Sequence, residues 1–265
     1  MSCVAALQAG QRVPQPPRIL TIAGSDCSGG AGLQADLKTI LMLGGYGMSA
    51  ITAITAQNTT GVFAVQALAP DMVAAQIDAC IGDIGVDAVK IGMLGSAAIA
   101  HLVADRLEAL DVPVVFDPVM VATSGGILAD GDTVAAFARL MARATLTTPN
   151  LPELAALGGE DAVRARTPAL LIKGGHGEDE TLTDRLIWQG GEQVWQSPRI
   201  ATRHTHGTGC TMASAIACGL GAGMALPDAV ARARAFVRAG LLAAPGFGAG
   251  HGPLGHQAVD ISALG

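Results

Sequence analysis

The chain has 265 residues, half of them hydrophobic but only 3% aromatic, with 35 glycines and a formal charge of −6. That length favours one large α/β unit over two small ones, and a core of Ala, Val, Ile, Leu and Met with glycine turns suits parallel strands covered by helices. Acidity without a Lys/Arg cluster gives no electrostatic footprint for nucleic acid or an acidic membrane, which leaves a small molecule as the expected partner.

The five cysteines, at 3, 27, 80, 210 and 218, form an odd set without C-x-x-C spacing. They point to a reducing, cytoplasmic setting and to neither a disulfide framework nor a zinc site. Residues 1–17 are rich in Ala, Gln and Pro and lack a long apolar core, so they read as a flexible extension ahead of a single domain over 18–265. Two uncharged runs, 39–70 and 207–226, are broken by Gly, Thr, Ser or Asn, and neither reads as a membrane span.

In chain order, residues 18–23 predict a short buried strand. It runs into a loop holding Gly24, Gly29, Gly30 and Gly32 within nine residues, after which Leu33, Leu37, Ile40 and Leu41 recur at helical spacing. The loop has neither the G-x-G-x-x-G fingerprint nor the Gly-Lys-Ser/Thr of a P-loop. It could be a flexible connection, but a glycine loop after a first parallel strand lies at the carboxyl edge of the sheet, where ligands bind. Residues 47–55 alternate as a strand and end at Ala56, Gln57 and Asn58, a polar rim that suits a heterocycle or a plain turn. A helix over 71–81 follows, with Asp71 as its expected N-cap.

Residues 88–94 predict a buried strand in which Lys90 reads as a snorkelling or paired structural residue. Beyond a helix over 97–110, an apolar strand ends at Asp117 before Pro118, a way to hold a carboxylate where hydrated magnesium can reach it. Asn150 and Glu153, with Pro152 at a helix start, either aim at the same metal shell or make an N-terminal capping box. Lys173, at the end of the strand over 168–172, is a point charge beside flexible backbone that fits a nucleotide phosphate. Residues 182–189 and 193–198 read as a hairpin across Gly190 and Gly191.

The stretch His206-Gly207-Thr208-Gly209-Cys210-Thr211 then precedes an uncharged run that can pack as a buried helix. A helix N-terminus presents unpaired N–H donors and partial positive charge, so an anion is stabilised there and Cys210 is expected to lean toward thiolate. A glycine turn with an inert cysteine is the plainer alternative. A last helix over 228–242 leads to a glycine-rich tail, whose His251 and His256 read as surface residues.

Taken together, residues 23–39, 51–59, 90–94, 117–120, 148–153, 173–176 and 206–211 resemble the hydroxymethylpyrimidine/phosphomethylpyrimidine kinases of thiamine biosynthesis. The resemblance runs co-linearly from about residue 18 to residue 256. It implies a ribokinase-like α/β fold, a three-layer α/β/α sandwich with a central mostly parallel sheet, assembled as a homodimer. It also implies ATP- and Mg2+-dependent phosphorylation of 4-amino-5-hydroxymethyl-2-methylpyrimidine and then of its monophosphate.

Carried over by position, Gly24, Asp36, Gln57, Met93 and Val119 surround the pyrimidine, and Gln57 reads its amino and ring-nitrogen edge. Asp117 and Glu153 serve the metal, while Asn150, Lys173, Thr205 and His206 lie by the nucleotide. Gly207, Thr208 and Gly209 form the anion hole, with Cys210 facing the acceptor hydroxyl. Three departures stand out: residues 122–126 lack the family's usual lysine, the stretch between Glu153 and Lys173 is short, and Cys27 replaces a serine or proline. Pyridoxal kinase on the same scaffold is the nearest rival reading, and a non-catalytic pyrimidine- or nucleotide-binding regulator is another.

Overall fold

In the computed structural model, the residues described are 15–122, 125–126, 128–176 and 180–263. The expected extension therefore lies outside them up to residue 14, as do Thr123 and Ser124 of the altered 122–126 stretch.

The chain folds in the order β1 (Arg18–Asp26), α1 (Gly32–Met42), β2 (Tyr46–Asn58), β3 (Gly61–Ala67), α2 (Pro70–Ala79), β4 (Ala88–Ile91) and α3 (Ala97–Leu107). It continues through β5 (Val114–Phe116), α4 (Gly131–Arg143), β6 (Leu146–Thr147), α5 (Leu151–Ala156), α6 (Glu160–Arg164) and β7 (Ala169–Ile172). The last elements are β8 (Thr181–Trp188), β9 (Gly191–Pro198), α7 (Thr208–Gly221) and α8 (Leu226–Leu242). Among the described residues the strands make one nine-stranded sheet, ordered β3-β2-β1-β4-β5-β6-β7-β8-β9. From β2 to β7 every pairing is parallel, and hairpins close both edges.

Alternation along the short buried strands sorts side chains into two cores. Leu20, Ile22, Val89, Ile91, Val114, Phe116, Leu170 and Ile172 pack with α2, α3 and α4, where Phe116 meets Phe137 edge-on at 5.1 Å. Ile19, Ala88, Val115, Leu146, Ala169 and Leu171 face α1, α7 and α8 on the other side. This is the three-layer architecture expected. The apolar run after Gly207 is the central helix of the second layer, with Thr211 to Gly219 all buried.

Three local readings change. Asp71 is not the cap of α2; Ala69 holds that place, Pro70 opens the helix, and Asp71 sits in its first turn. Residues 61–67, unassigned in the sequence, pair antiparallel with β2 as an edge strand. His256 is not a surface residue but is buried, its Nε2 2.9 Å from Thr211 Oγ1 on α7. The short stretch after Glu153 folds as two brief helices, α5 and α6. Among the described residues no helix is long and apolar enough to cross a membrane.

Candidate active site

Asp117 is the first residue past β5 and Lys173 the first past β7. Each continues the alternation of Val115 and Leu171, so both side chains turn toward α7. They meet there: Lys173 Nζ donates to Asp117 Oδ1 at 2.6 Å, and Thr148 Oγ1 donates to the same oxygen at 3.0 Å. Asp117 Oδ2 and Lys173 Nζ both lie 3.4 Å from where a β-carbon on Gly209 would stand. The first turn of α7 therefore rests against the ion pair.

Gly207, at the N-cap of α7, has φ 86°, in the left-handed region. A β-carbon there would also run into the carbonyl of Gly30, so only glycine lets the two glycine loops touch. Asp26, at the end of β1, fastens them together. Its Oδ1 accepts from the Ser28 N–H and hydroxyl, and its Oδ2 accepts from Gly30 N at 3.0 Å and Ala31 N at 2.8 Å. His206 Nε2 lies 2.8 Å from Oδ2 as well. Although burial opposes its charge, these bonds, led by that of His206, hold the Asp26 carboxyl below the usual range.

Cys210 is half-buried in the first turn of α7. Burial pushes its thiol up to about 11, with Lys90 opposing the rise and Asp36 and Asp117 adding to it. The expected thiolate is thus corrected: desolvation outweighs the helix field, and the group rests as a thiol at neutral pH.

Glu153 is buried at the start of α5 and completes a capping box, its N–H donating to Asn150 Oδ1 at 2.8 Å while its Oε2 accepts from Asn150 N at 2.9 Å. Burial pushes its carboxyl up to about 7, Lys173 pulling it down and Asp117 pushing it up. Two carboxylates, one paired with Lys173 and one under the pull of its charge, therefore lie in a poorly solvated place. That donor set fits magnesium, which is held by one or two carboxylates plus substrate phosphates and not by a full protein cage. Among the described residues, no group of three His, Cys, Asp or Glu offers such a cage.

On the pyrimidine side, Gly24 and Met93 adjoin so closely that a β-carbon on Gly24 would meet the thioether sulfur. Val119 is half-buried, its N–H donating to the Asp117 carbonyl at 2.8 Å. Gln57 is half-buried near the end of β2, where its backbone carbonyl accepts from the Cys27 thiol at 3.2 Å. Cys27 thus joins the first glycine loop to the β2–β3 hairpin.

Two expected ligand-facing residues point elsewhere. Asp36 is fully buried, and its carboxylate is taken up by Lys90, Thr21 and Ser214 beneath the site. His206 is 2% exposed and its ring is engaged by Asp26, so its side chain braces the loops and does not face a nucleotide. Thr205 lies in the turn before α7, where its carbonyl accepts from Thr208 N. The Asn150 amide oxygen is used in its cap, which favours the capping-box alternative for that side chain. Asp26 was missed, although an Asp ending a strand before Ser and two glycines carries the signal of an Asx turn. A separate hollow of about 710 Å³ at the far edge, between the start of β8 and the end of β9, contains none of these residues.

The description of known families fits this arrangement. A family model for phosphomethylpyrimidine kinase matches residues 26–255. The hydroxymethylpyrimidine/phosphomethylpyrimidine kinase of Streptomyces coelicolor is 46% identical over 256 residues, covering 91% of this chain and 94% of that protein. Among solved structures, the ADP complex of Bacillus subtilis pyridoxal kinase superposes with a TM-score of 0.85 at 34% identity, over 92% of this chain and 98% of that one. The phosphomethylpyrimidine kinase of Clostridium difficile gives 0.73 at 38% identity, over 83% and 97%. Both neighbours share the ribokinase-like sheet and its two helical layers. With similarity running from the first glycine loop to the tail, this chain is a member of the phosphomethylpyrimidine kinase family.

Proposed function

We infer that the protein phosphorylates 4-amino-5-hydroxymethyl-2-methylpyrimidine at its hydroxymethyl oxygen, and then the monophosphate to the diphosphate, with ATP as donor, in thiamine biosynthesis. The observation that carries this is the meeting of the Asp117–Lys173 pair with the first turn of α7 at Gly209, the residue before Cys210. Phosphoryl transfer passes through a loose transition state and depends mainly on positioning and charge stabilisation.

In this reading the N–H of Gly209 and the ammonium of Lys173 receive the charge that gathers on the moving phosphoryl oxygens, the Thr208 N–H being held by the Thr205 carbonyl. Asp117 and Glu153 would hold magnesium, which when bound neutralises phosphate charge. Met93 and Val119 pack against the heterocycle, and Gln57 reads its polar edge. Cys210, resting as a thiol, orients the acceptor hydroxyl; the hydroxyl proton leaves late, to an oxygen of the transferred phosphoryl group, because bond formation to the acceptor lags behind bond breaking. For the second transfer the acceptor is a phosphate, already ionised, so Cys210 has less to do.

A second reading, phosphorylation of pyridoxal, draws on the higher TM-score with a pyridoxal kinase. Cys210 and Gln57 favour the pyrimidine. Incubation with ATP, Mg2+ and each alcohol in turn, resolving mono- from diphosphate, decides between them. Absence of product from the pyrimidine, or faster turnover of pyridoxal, overturns the first reading, and tight pyrimidine binding without turnover favours a regulator. The reading also takes residues 18–265 as one kinase domain acting in the cytoplasm as a homodimer. Exposed Ile54, Phe63 and Val65 on the β2–β3 hairpin offer apolar surface for a second copy, and sedimentation of the purified chain tests it.

A further inference from the structure

Asp36, on α1, gathers donors from three other elements. Lys90 Nζ from β4 reaches its two oxygens at 2.9 and 2.8 Å, Thr21 Oγ1 from β1 donates at 2.5 Å, and Ser214 Oγ from α7 donates at 2.7 Å. All four side chains are fully buried. The register of the two helices is the telling feature. Ser214 stands one turn after Cys210 on α7, and Asp36 stands one turn after Gly32 on α1. Residues four apart share a helix face. The Asp36–Ser214 bond therefore ties α1 to α7 on the face of α7 that carries Cys210, one turn further along the helix.

We propose that Asp36, Lys90 and Ser214 form a positioning strut that fixes where the Cys210 sulfur sits relative to the acceptor hydroxyl. None of the three touches substrate; they act through α7. This rests on the reading of the site as a pyrimidine kinase, with Cys210 at the acceptor.

Ser214→Ala is the variant of choice, because Asp36 keeps Lys90 and Thr21 and the fold survives. The expected result is a loss of about fivefold in kcat for the pyrimidine alcohol, the scale of one hydrogen bond, with KM for ATP unchanged. In a Cys210→Ala background the same change should cost no further activity, while its effect on Tm persists. A lower Tm with unaltered kcat, or an equal loss of kcat in both backgrounds, makes the strut purely structural and overturns the proposal. A readout independent of turnover is iodoacetamide modification of Cys210 followed by peptide mass, expected to change about threefold in Ser214→Ala if the sulfur moves. If the wild-type protein does not phosphorylate the pyrimidine, the functional reading fails while this measurement still judges the strut, and an unchanged modification rate sinks it.

Discussion

Two carboxylate–lysine pairs lie against α7, one at its first turn and one a turn further on, and they are built to opposite ends. Asp36 and Lys90 are both 0% exposed, and the carboxylate is further occupied by a threonine and a serine. Asp117 and Lys173 are 2% and 13% exposed, and both bonds to Asp117 fall on one oxygen while the other turns toward Gly209. The first pair sits mid-sheet on β4 and α1; the second sits one residue past the ends of β5 and β7. A pair sealed on every side acts only through the elements it holds in place, whereas a pair at a strand end can trade its partners for a substrate's charge.

Breaking each pair at its lysine should separate these roles most clearly. Lys90→Met leaves Asp36 buried without a counter-charge, which should destabilise the fold by about 3–5 kcal/mol in denaturant melts. Lys173→Met should cost clearly less stability, since Asp117 keeps Thr148 and Lys173 is itself partly exposed, yet it should lower kcat by about 10²–10³-fold. Equal stability losses and equal activity losses for the two variants would erase the distinction.

Glu153→Gln sharpens the contrast on the open side. It removes one of two carboxylates under the pull of Lys173, so the magnesium concentration for half-maximal rate should rise about 10–100-fold, with little change in KM for the pyrimidine. An unaltered magnesium requirement would reassign Glu153 to its capping box alone.

Much of this contrast was legible in the sequence, and what was missed has a physical cause. Alternation along short apolar strands marks Asp117 and Lys173 as the first polar residues past a buried run, so their place at the sheet's edge follows from period two. Gly207 and the uncharged run after it foretell a buried helix entered through a tight turn. Lys90 also reads as paired, but its partner lies 54 residues away, and nothing local names Asp36. The resemblance to known kinases assigned Asp36 and His206 to ligands because it matched motifs, and a motif does not say which way a side chain turns. The error over Cys210 has another source. A helix N-terminus favours thiolate, but the strength of burial depends on packing from α1, β4 and the Asp117 strand end, which only the folded chain brings together.

Cys210 itself stands between the two pairs and should give the smallest effects. Cys210→Ala should slow the first phosphorylation about tenfold and the second by less than about twofold, because only the first acceptor is a neutral hydroxyl that the thiol must orient. Equal losses in both steps would remove it from the acceptor. Its pH behaviour gives an independent check. The folded thiol titrates near about 11, above its usual value of 9.0, so between these values the folded state keeps a proton that the unfolded chain releases. Stability from this group is therefore intact below pH 9 and falls as pH rises toward 11, by about 1–2 kcal/mol after allowance for its partial exposure. Urea melts of wild type and Cys210→Ala at pH 8, 9 and 10 should diverge in slope over that range. Parallel curves would mean that the thiol is as well solvated as in the unfolded chain, and that the sealed and open pairs do not enclose it.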